Sequence, residues 1–261
     1  KNKSQTYQLA GKVALSYRSE AEEKTGYGYQ LSLNKVKGKF KFLIDHSTVD
    51  DRFDPNDMGY LQRNNEISDD AQISYNIHEP FGIFKNWYAH VRTENTMLYS
   101  PTREVENQLR FWTEATFKNN WWIGLFYGHS FGTHDYYETR VENRYFKGPL
   151  YNMYELNLQS DNDKKLSGFL CAGGYDSKRE GDYGFWGYGN VWWKATQHFN
   201  FYYDVSTNQD FGNYGYVNDH NRDSVYFGGF NRHTLENTLT LSYSFNTKMK
   251  IDFRCRHYWS W

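Results

Sequence analysis

Residues 234–261 carry the most regular pattern in the chain. Leu235, Leu239, Leu241, Tyr243 and Phe245 alternate with Glu236, Thr238, Thr240, Ser242 and Ser244. After 246–248 the alternation resumes: Met249, Ile251, Phe253, Cys255 and Trp259 fall on one face, and Lys250, Asp252, Arg254, Arg256 and Ser260 on the other. A period of two with one greasy and one wet face specifies a β-hairpin. A soluble sandwich turns the greasy face inward, whereas a membrane barrel turns it to lipid and lines its lumen with the wet one. The hairpin by itself fits both.

The same alternation recurs from the first residues. Tyr7, Leu9, Val13, Leu15 and Tyr17 oppose Gln8, Lys12, Ser16 and Arg18; Tyr27, Tyr29, Leu31 and Leu33 form the return strand; Phe40, Phe42 and Ile44 oppose Lys39, Lys41 and Asp45. Further strands are predicted at 66–78, 86–97, 104–117, 121–130, 150–159, 165–175, 183–195, 198–206, 224–245 and 249–261, about thirteen in all. Connections at 34–38, 79–85, 118–120, 160–164, 196–197 and 246–248 read as tight turns. Those at 19–24, 48–65, 98–103, 131–149, 176–182 and 207–223 read as longer loops. Strict alternation of short and long connections is the rhythm of an antiparallel up-and-down transmembrane β-barrel. Trp87, Phe117, Trp121, Trp193, Phe199 and Phe245 stand beside the tight turns, where an interfacial aromatic girdle belongs.

Composition sharpens this picture. Aromatics make up 20% of 261 residues, with 24 Tyr, 19 Phe and 9 Trp against 4 Pro, while mean hydropathy is −0.91. Rings in a polar background suit strands whose alternate residues line a wet lumen. No apolar run approaches the ~20 residues of a spanning helix, which excludes a helical membrane protein and leaves a barrel open. The net charge of −1 leaves no basic footprint for nucleic acid. Cys171 and Cys255 read as free packing residues on distant strands. The chain starts without an initiator Met or a signal peptide, and an odd strand number is unusual for a single-chain barrel. Both lead to the expectation of an incomplete single barrel domain over 1–261, with fourteen or more strands when whole.

Candidate chemistry falls in three places. Arg92, Glu94, Glu106, Arg110, Glu114, Glu236, Asp252, Arg254 and Arg256 are expected on the lumen wall, where opposite charges on adjacent strands would pair as a ladder, or else mark a substrate or ion path. The connection 47–65, with Arg52, Asp54, Asn56, Asp57 and Arg63, is expected to fold inward as a constriction. Its Asp54-Pro55-Asn56-Asp57-Met58-Gly59 run lacks the ligand spacing of a calcium loop, Met58 standing where an oxygen is wanted. Tyr136, Tyr137 and Arg140, with Tyr214 and Tyr216, would present rings beside polar groups on loops, suited to sugar faces, to a partner protein or to packing on one another. His129-Ser130 and His134-Asp135 lie close in sequence. Without a nucleophile elbow or metal-ligand spacing they read as loop hydrogen-bonders, a membrane-embedded hydrolase being the most distant alternative.

The run from Arg52 to Glu66, together with Tyr137-Glu138-Thr139-Arg140, Tyr226-Phe227-Gly228-Gly229 and Arg254-Cys255-Arg256-His257-Tyr258-Trp259-Ser260, resembles a Bacteroidota outer-membrane family of unknown function. In that family a barrel-like region often follows an N-terminal domain similar to carbohydrate-binding module family 9. The resemblance implies an outer-membrane location and a surface or glycan-related role, with no site residues to carry over. Against that pattern the chain is expected to be a piece without that N-terminal domain and without the final strands. Residues and resemblance together lead to one expectation: a non-enzymatic outer-membrane barrel acting as a pore, or as an anchor and scaffold in a surface complex, without cofactor or metal. Its expected partners are outer-membrane lipid, other surface proteins and glycans; a surface glycan-binding protein is the alternative.

Overall fold

A computed structural model describes residues 6–19, 23–54, 63–220 and 224–261. All regular structure among them is β. The strands are β1 (Tyr7–Ser19), β2 (Glu23–Lys35), β3 (Phe40–Val49), β4 (Glu66–Ile77), β5 (Phe84–Leu98), β6 (Arg103–Phe117), β7 (Trp122–Asp135), β8 (Phe146–Gly148), β9 (Tyr151–Gln159), β10 (Leu166–Ser177), β11 (Tyr183–Lys194), β12 (Phe199–His220), β13 (Ser224–Asn246) and β14 (Met249–Ser260). They form one antiparallel up-and-down sheet of 14 strands in which each long strand pairs with its sequence neighbours, while β8 sits off this path against β7.

Packing divides the chain into two compact units. The first holds residues 1–76, 89–111 and 129–150, and the second 77–88, 112–128 and 151–261. In each, period-two alternation becomes two unlike faces. In the first unit Leu9, Val13, Leu15, Leu31, Ile44, Ile73 and Leu109 are exposed, Leu15 to 75%. In the second, Leu166, Leu170, Phe185, Val191, Trp193, Phe245, Ile251 and Phe253 are exposed. The buried positions are mostly polar, among them Thr48, Ser74, Asn76, Ser130, Asn157, Ser167, Asp210 and Thr238. Among the described residues only Phe53, Leu98 and Ala115 are buried hydrophobics. This inverts the arrangement of a water-soluble domain. Each Leu or Ile left in water forgoes roughly 1.5–3 kcal/mol of transfer free energy.

Three sequence expectations change. The short β8 lies inside the connection read as 131–149, raising the strand number from about thirteen to fourteen. The connection read as 207–223 is mostly strand: β12 runs for 22 residues and β13 for 23. Register shifts between Asp210 and Asn213, and between Tyr216 and Asn218, break the period of two there while backbone pairing continues. Tyr214 and Tyr216 therefore stand on β12 rather than on a loop. Connection lengths, in turn, do not alternate strictly. Two long connections remain, 50–65 and 136–145, and the others on that side are brief, such as 99–102 and 178–182.

Beyond Tyr183, which is opposite Phe211, β12 has no pairing with β11. β14 in turn pairs with β13 only as far as Thr234. Residues 213–220 of β12 and 224–230 of β13 thus pair with each other alone, as a two-stranded ribbon overhanging its neighbours.

Candidate functional site

The polar face of the first unit carries a continuous chain of charged and amide groups. Side chains two residues apart on one strand share a face, so β5 aims Arg92 and Glu94 together, and β6 aims Glu106, Gln108 and Arg110 together. Arg92 binds Asp70 of β4 through Nε at 2.9 Å and also through Nη2. Arg92 lies 3.8 Å from Glu94, and Glu94 3.6 Å from Arg110. Arg110 donates from Nε to Gln108 Oε1 at 2.8 Å, Gln108 donates to Glu106 Oε1 at 2.5 Å, and Ser130 of β7 donates to the same carboxylate at 3.2 Å. Four strands are thereby laced by alternating donors and acceptors. Ser130, 1% exposed, is the most enclosed side chain of the series.

The expected ladder is thus partly assembled. Arg92, Glu94, Arg110 and Glu106 come together, joined by Ser130 and by Asp70 and Gln108, which the sequence reading did not single out. Glu114 does not join a charge; it accepts the indole N–H of Trp112 at 2.9 Å. Farther along, Arg256 of β14 pairs with Glu236 of β13, with Nε to Oε1 and Nη2 to Oε2 both at 2.7 Å. Asp252 takes Lys250 of its own strand at 2.7 Å instead of a cation across the hairpin. Arg254 has no ionic or hydrogen-bonding partner among the described residues.

The connection after β3 turns onto this polar face. Phe53, 8% exposed, lies over Gly26 and Gly28 of β2, where a side chain on residue 26 would overlap the Arg52–Phe53 backbone. Asp54 pairs with Arg18 of β1, and its backbone N–H donates to Ser16 Oγ at 3.1 Å. The far end is tied back by Asn64, whose amide donates to the carbonyls of Asp51 and Phe53, and by Asn65 N–H to Asp50 O at 3.1 Å. Residues 52–54 of this connection thus lie against β1 and β2. Arg52 is exposed, and its backbone N–H donates to Asp50 Oδ1 at 3.1 Å. Asn56 and Asp57 lie outside the described residues.

The connection 136–145 docks on the same loop. Arg63 stacks over the Tyr137 ring at 4.5 Å, and the Tyr137 hydroxyl donates to Asn64 O at 3.2 Å. Burial, then the charge of Glu66, pushes the Tyr137 phenol above its ordinary value. Tyr136 rests on Tyr145 at 5.2 Å, and the Arg140 N–H donates to Tyr137 O at 3.0 Å in a left-handed turn. Of the three arrangements open to these loop rings, mutual packing describes Tyr136 and Tyr137. Tyr214 on the overhanging ribbon instead carries the Arg179 guanidinium 4.3 Å above its ring, and Tyr216 meets Phe227 edge-on at 6.5 Å.

His129 and Ser130 point to opposite faces. The His129 ring stands against Phe131 at 4.6 Å while Ser130 reaches Glu106, so the two do not form a base–nucleophile pair. His134 meets Tyr145 edge-on at 4.8 Å. Among the described residues no group of three or more His, Cys, Asp or Glu is placed to hold a metal ion.

In the second unit the polar face of β9 to β12 is aromatic as well as polar. Trp186 lies flat on Gly173 and donates its indole N–H to Glu155 Oε2 at 2.9 Å; Asn157 donates to Glu155 Oε1 at 2.8 Å. The Tyr188 and Tyr202 hydroxyls meet at 2.9 Å, and Asn190 donates to Tyr188 at 3.1 Å. Its opposite face bears two groups of rings. Near the brief connections stand Trp193, Tyr243 and Phe245. At the other end Tyr183, Phe211, His233 and Trp261 follow one another at 4.8, 4.9 and 5.7 Å.

A family model described as a domain of unknown function, DUF5916, matches residues 1–261. No curated protein and no solved structure matches the chain.

Proposed function

The chain belongs to the DUF5916 family, and we propose that it is the wall of an outer-membrane-type β-barrel, apolar face to lipid and polar face to a water-filled, partly occluded passage. The inverted burial carries this: exposed Leu, Ile, Val and Phe on one face of successive strands, buried Ser, Thr, Asn and Asp on the other.

Two further features agree with it. On β11 the exposed Tyr183 and Trp193 mark the ends of an apolar stretch. It spans about 33 Å along the strand at ~3.3 Å per residue, or about 25 Å along the normal for a strand tilted about 40°. That is the height of a lipid-facing band between aromatic girdles. In the first unit Phe40, Phe42, Ile44, Ile73, Val91 and Leu109 line an apolar furrow wide enough for acyl chains. On the polar face, the alternating charges across β4 to β7 and the turned-in Phe53 serve a narrow, charge-bearing passage with no role for catalysis.

Cysteine accessibility tests the proposal. Cys255 is exposed on the apolar face of β14. In a Cys171→Ser background, where Cys255 is the one remaining thiol, it reacts in a bilayer with a lipid-soluble maleimide and not with a charged, water-soluble one; rapid labelling by the charged reagent in membranes overturns the proposal.

A further inference from the structure

A hollow on the polar face of β9 to β12 is lined by Gln159, Ser167, Asn190, Trp192, Lys194 and Tyr202. Register brings them together. Ser167, Trp192 and Tyr202 occupy one row of cross-strand partners, and Asn190 occupies the next, on the same face as Gln159. We propose that this hollow binds a saccharide carrying a carboxylate, a uronic-acid unit, with its ring on Trp192 and its acid group at Lys194.

Three observations converge on that class of ligand. Trp192 is half exposed and meets Tyr202 edge-on at 6.2 Å, so part of its electron-rich surface is accessible to the C–H face of a sugar ring. Around it stand polar groups without a protein partner among the described residues: the Gln159 amide, the Ser167 hydroxyl and the Trp192 indole N–H. An amide and a hydroxyl each donate and accept, as sugar hydroxyls do, so the match runs both ways. The Lys194 ammonium lies 6.0 Å over the Trp192 ring and donates to Asn162 O at 2.9 Å, leaving further N–H groups for an anion at the rim.

Other ligand classes fit less well. A phosphate dianion would face one ammonium with Asp204 opposite Asn190 in register, an unfavourable balance. An extended peptide would need a free strand edge, and β9 to β12 are paired on both sides. The hollow lies wholly on one face of four paired strands, so its occupancy does not depend on what the opposite face meets.

Calorimetric titration of the full chain in detergent tests the assignment, with trigalacturonate, its methyl ester and neutral trigalactose as probes. Trigalacturonate is expected to bind saturably, and the ester and the neutral sugar about fivefold or more weaker. Trp192→Ala should weaken binding at least about tenfold, the size of a stacked anchor's loss, and Trp192→Phe should restore most of it. Lys194→Gln should remove the preference for acid over ester while sparing the weaker neutral binding. Should Trp192→Ala fail to fold, the Phe and Gln variants carry the test. No saturable binding, an unchanged Trp192→Ala, or an acid preference that survives Lys194→Gln each overturns it. Failure here leaves the lipid-facing wall standing, because the labelling of Cys255 reads a different face.

Discussion

Phe53 occupies the space that a side chain on residue 26 would need. β2 can be crossed by the loop after β3 only because Gly26 is bare there, and that loop contributes one of the three buried hydrophobic residues among those described. Gly26→Ala is expected to lift Phe53 off β2 and to cost ~1–3 kcal/mol, as overpacking does. Denaturant unfolding of the protein in detergent gives the cost, and faster protease cleavage within 50–65 reports the displaced loop. An unchanged cleavage rate would refute the account.

The lacing of β4 to β7 predicts unequal effects for its two arginines. Arg92 serves Asp70, the better shielded carboxylate, and also neighbours Glu94. Arg110 serves Glu94 at longer range and the neutral Gln108. Arg92→Ala should therefore destabilise by more than Arg110→Ala. Each loss should stay within ~1–3 kcal/mol, because these side chains remain over a third exposed. In planar bilayers, Arg110→Glu is expected to shift selectivity toward cations; unchanged selectivity would separate the ladder from any ion path.

Asp161, in the connection between β9 and β10, supplies a pH dependence. Its carboxylate accepts the Asp163 N–H at 3.0 Å and the Asn120 amide at 3.2 Å. These bonds, first the backbone one, hold its pKa below the ordinary 3.8. A depressed carboxylate binds fewer protons when folded, so its stabilisation is complete above the ordinary value and is lost as pH falls through the lowered one. Acid unfolding of Asp161→Asn should lack this component, so the gap between parent and variant should close below about pH 3.8.

Tyr137 predicts the reverse sign. Its phenol is held above the ordinary 10.0, so the contact with Asn64 and Arg63 persists below that value and is lost as pH rises through the raised one. Tyr137→Phe removes only the hydrogen bond and should cost ~0.5–1.5 kcal/mol. Tyr137→Ala also removes the stacked ring and should speed amide exchange in both 63–65 and 136–145. Exchange confined to one segment would show that the loops are not coupled there.

Much of the sheet was legible because a period of two is a local property. The hairpin 234–261, the first three strands and the charges at 92, 94, 106 and 110 all follow from it. What escaped depends on pairing between strands. Asp70 and Gln108 enter the charge chain through register, which one strand's sequence does not contain. Residues 207–220 looked like a loop because Gly212, Gly215 and two register shifts spoil the alternation, yet a ribbon needs only backbone partners. β8 is three residues long and leaves no period to read. The hollow at Trp192 escaped for a related reason: its residues come from separate strands, and register alone brings them together.

The inversion of burial also bears on how the molecule comes to be. A chain with so few hydrophobic side chains to enclose gains little by collapsing in water, and its greasy strand faces would find one another on neighbouring copies first. On the proposed lipid-facing reading, its native state becomes the favoured one where acyl chains replace water along those faces. Refolding yield should accordingly track the supply of thin, fluid lipid more than dilution or cooling.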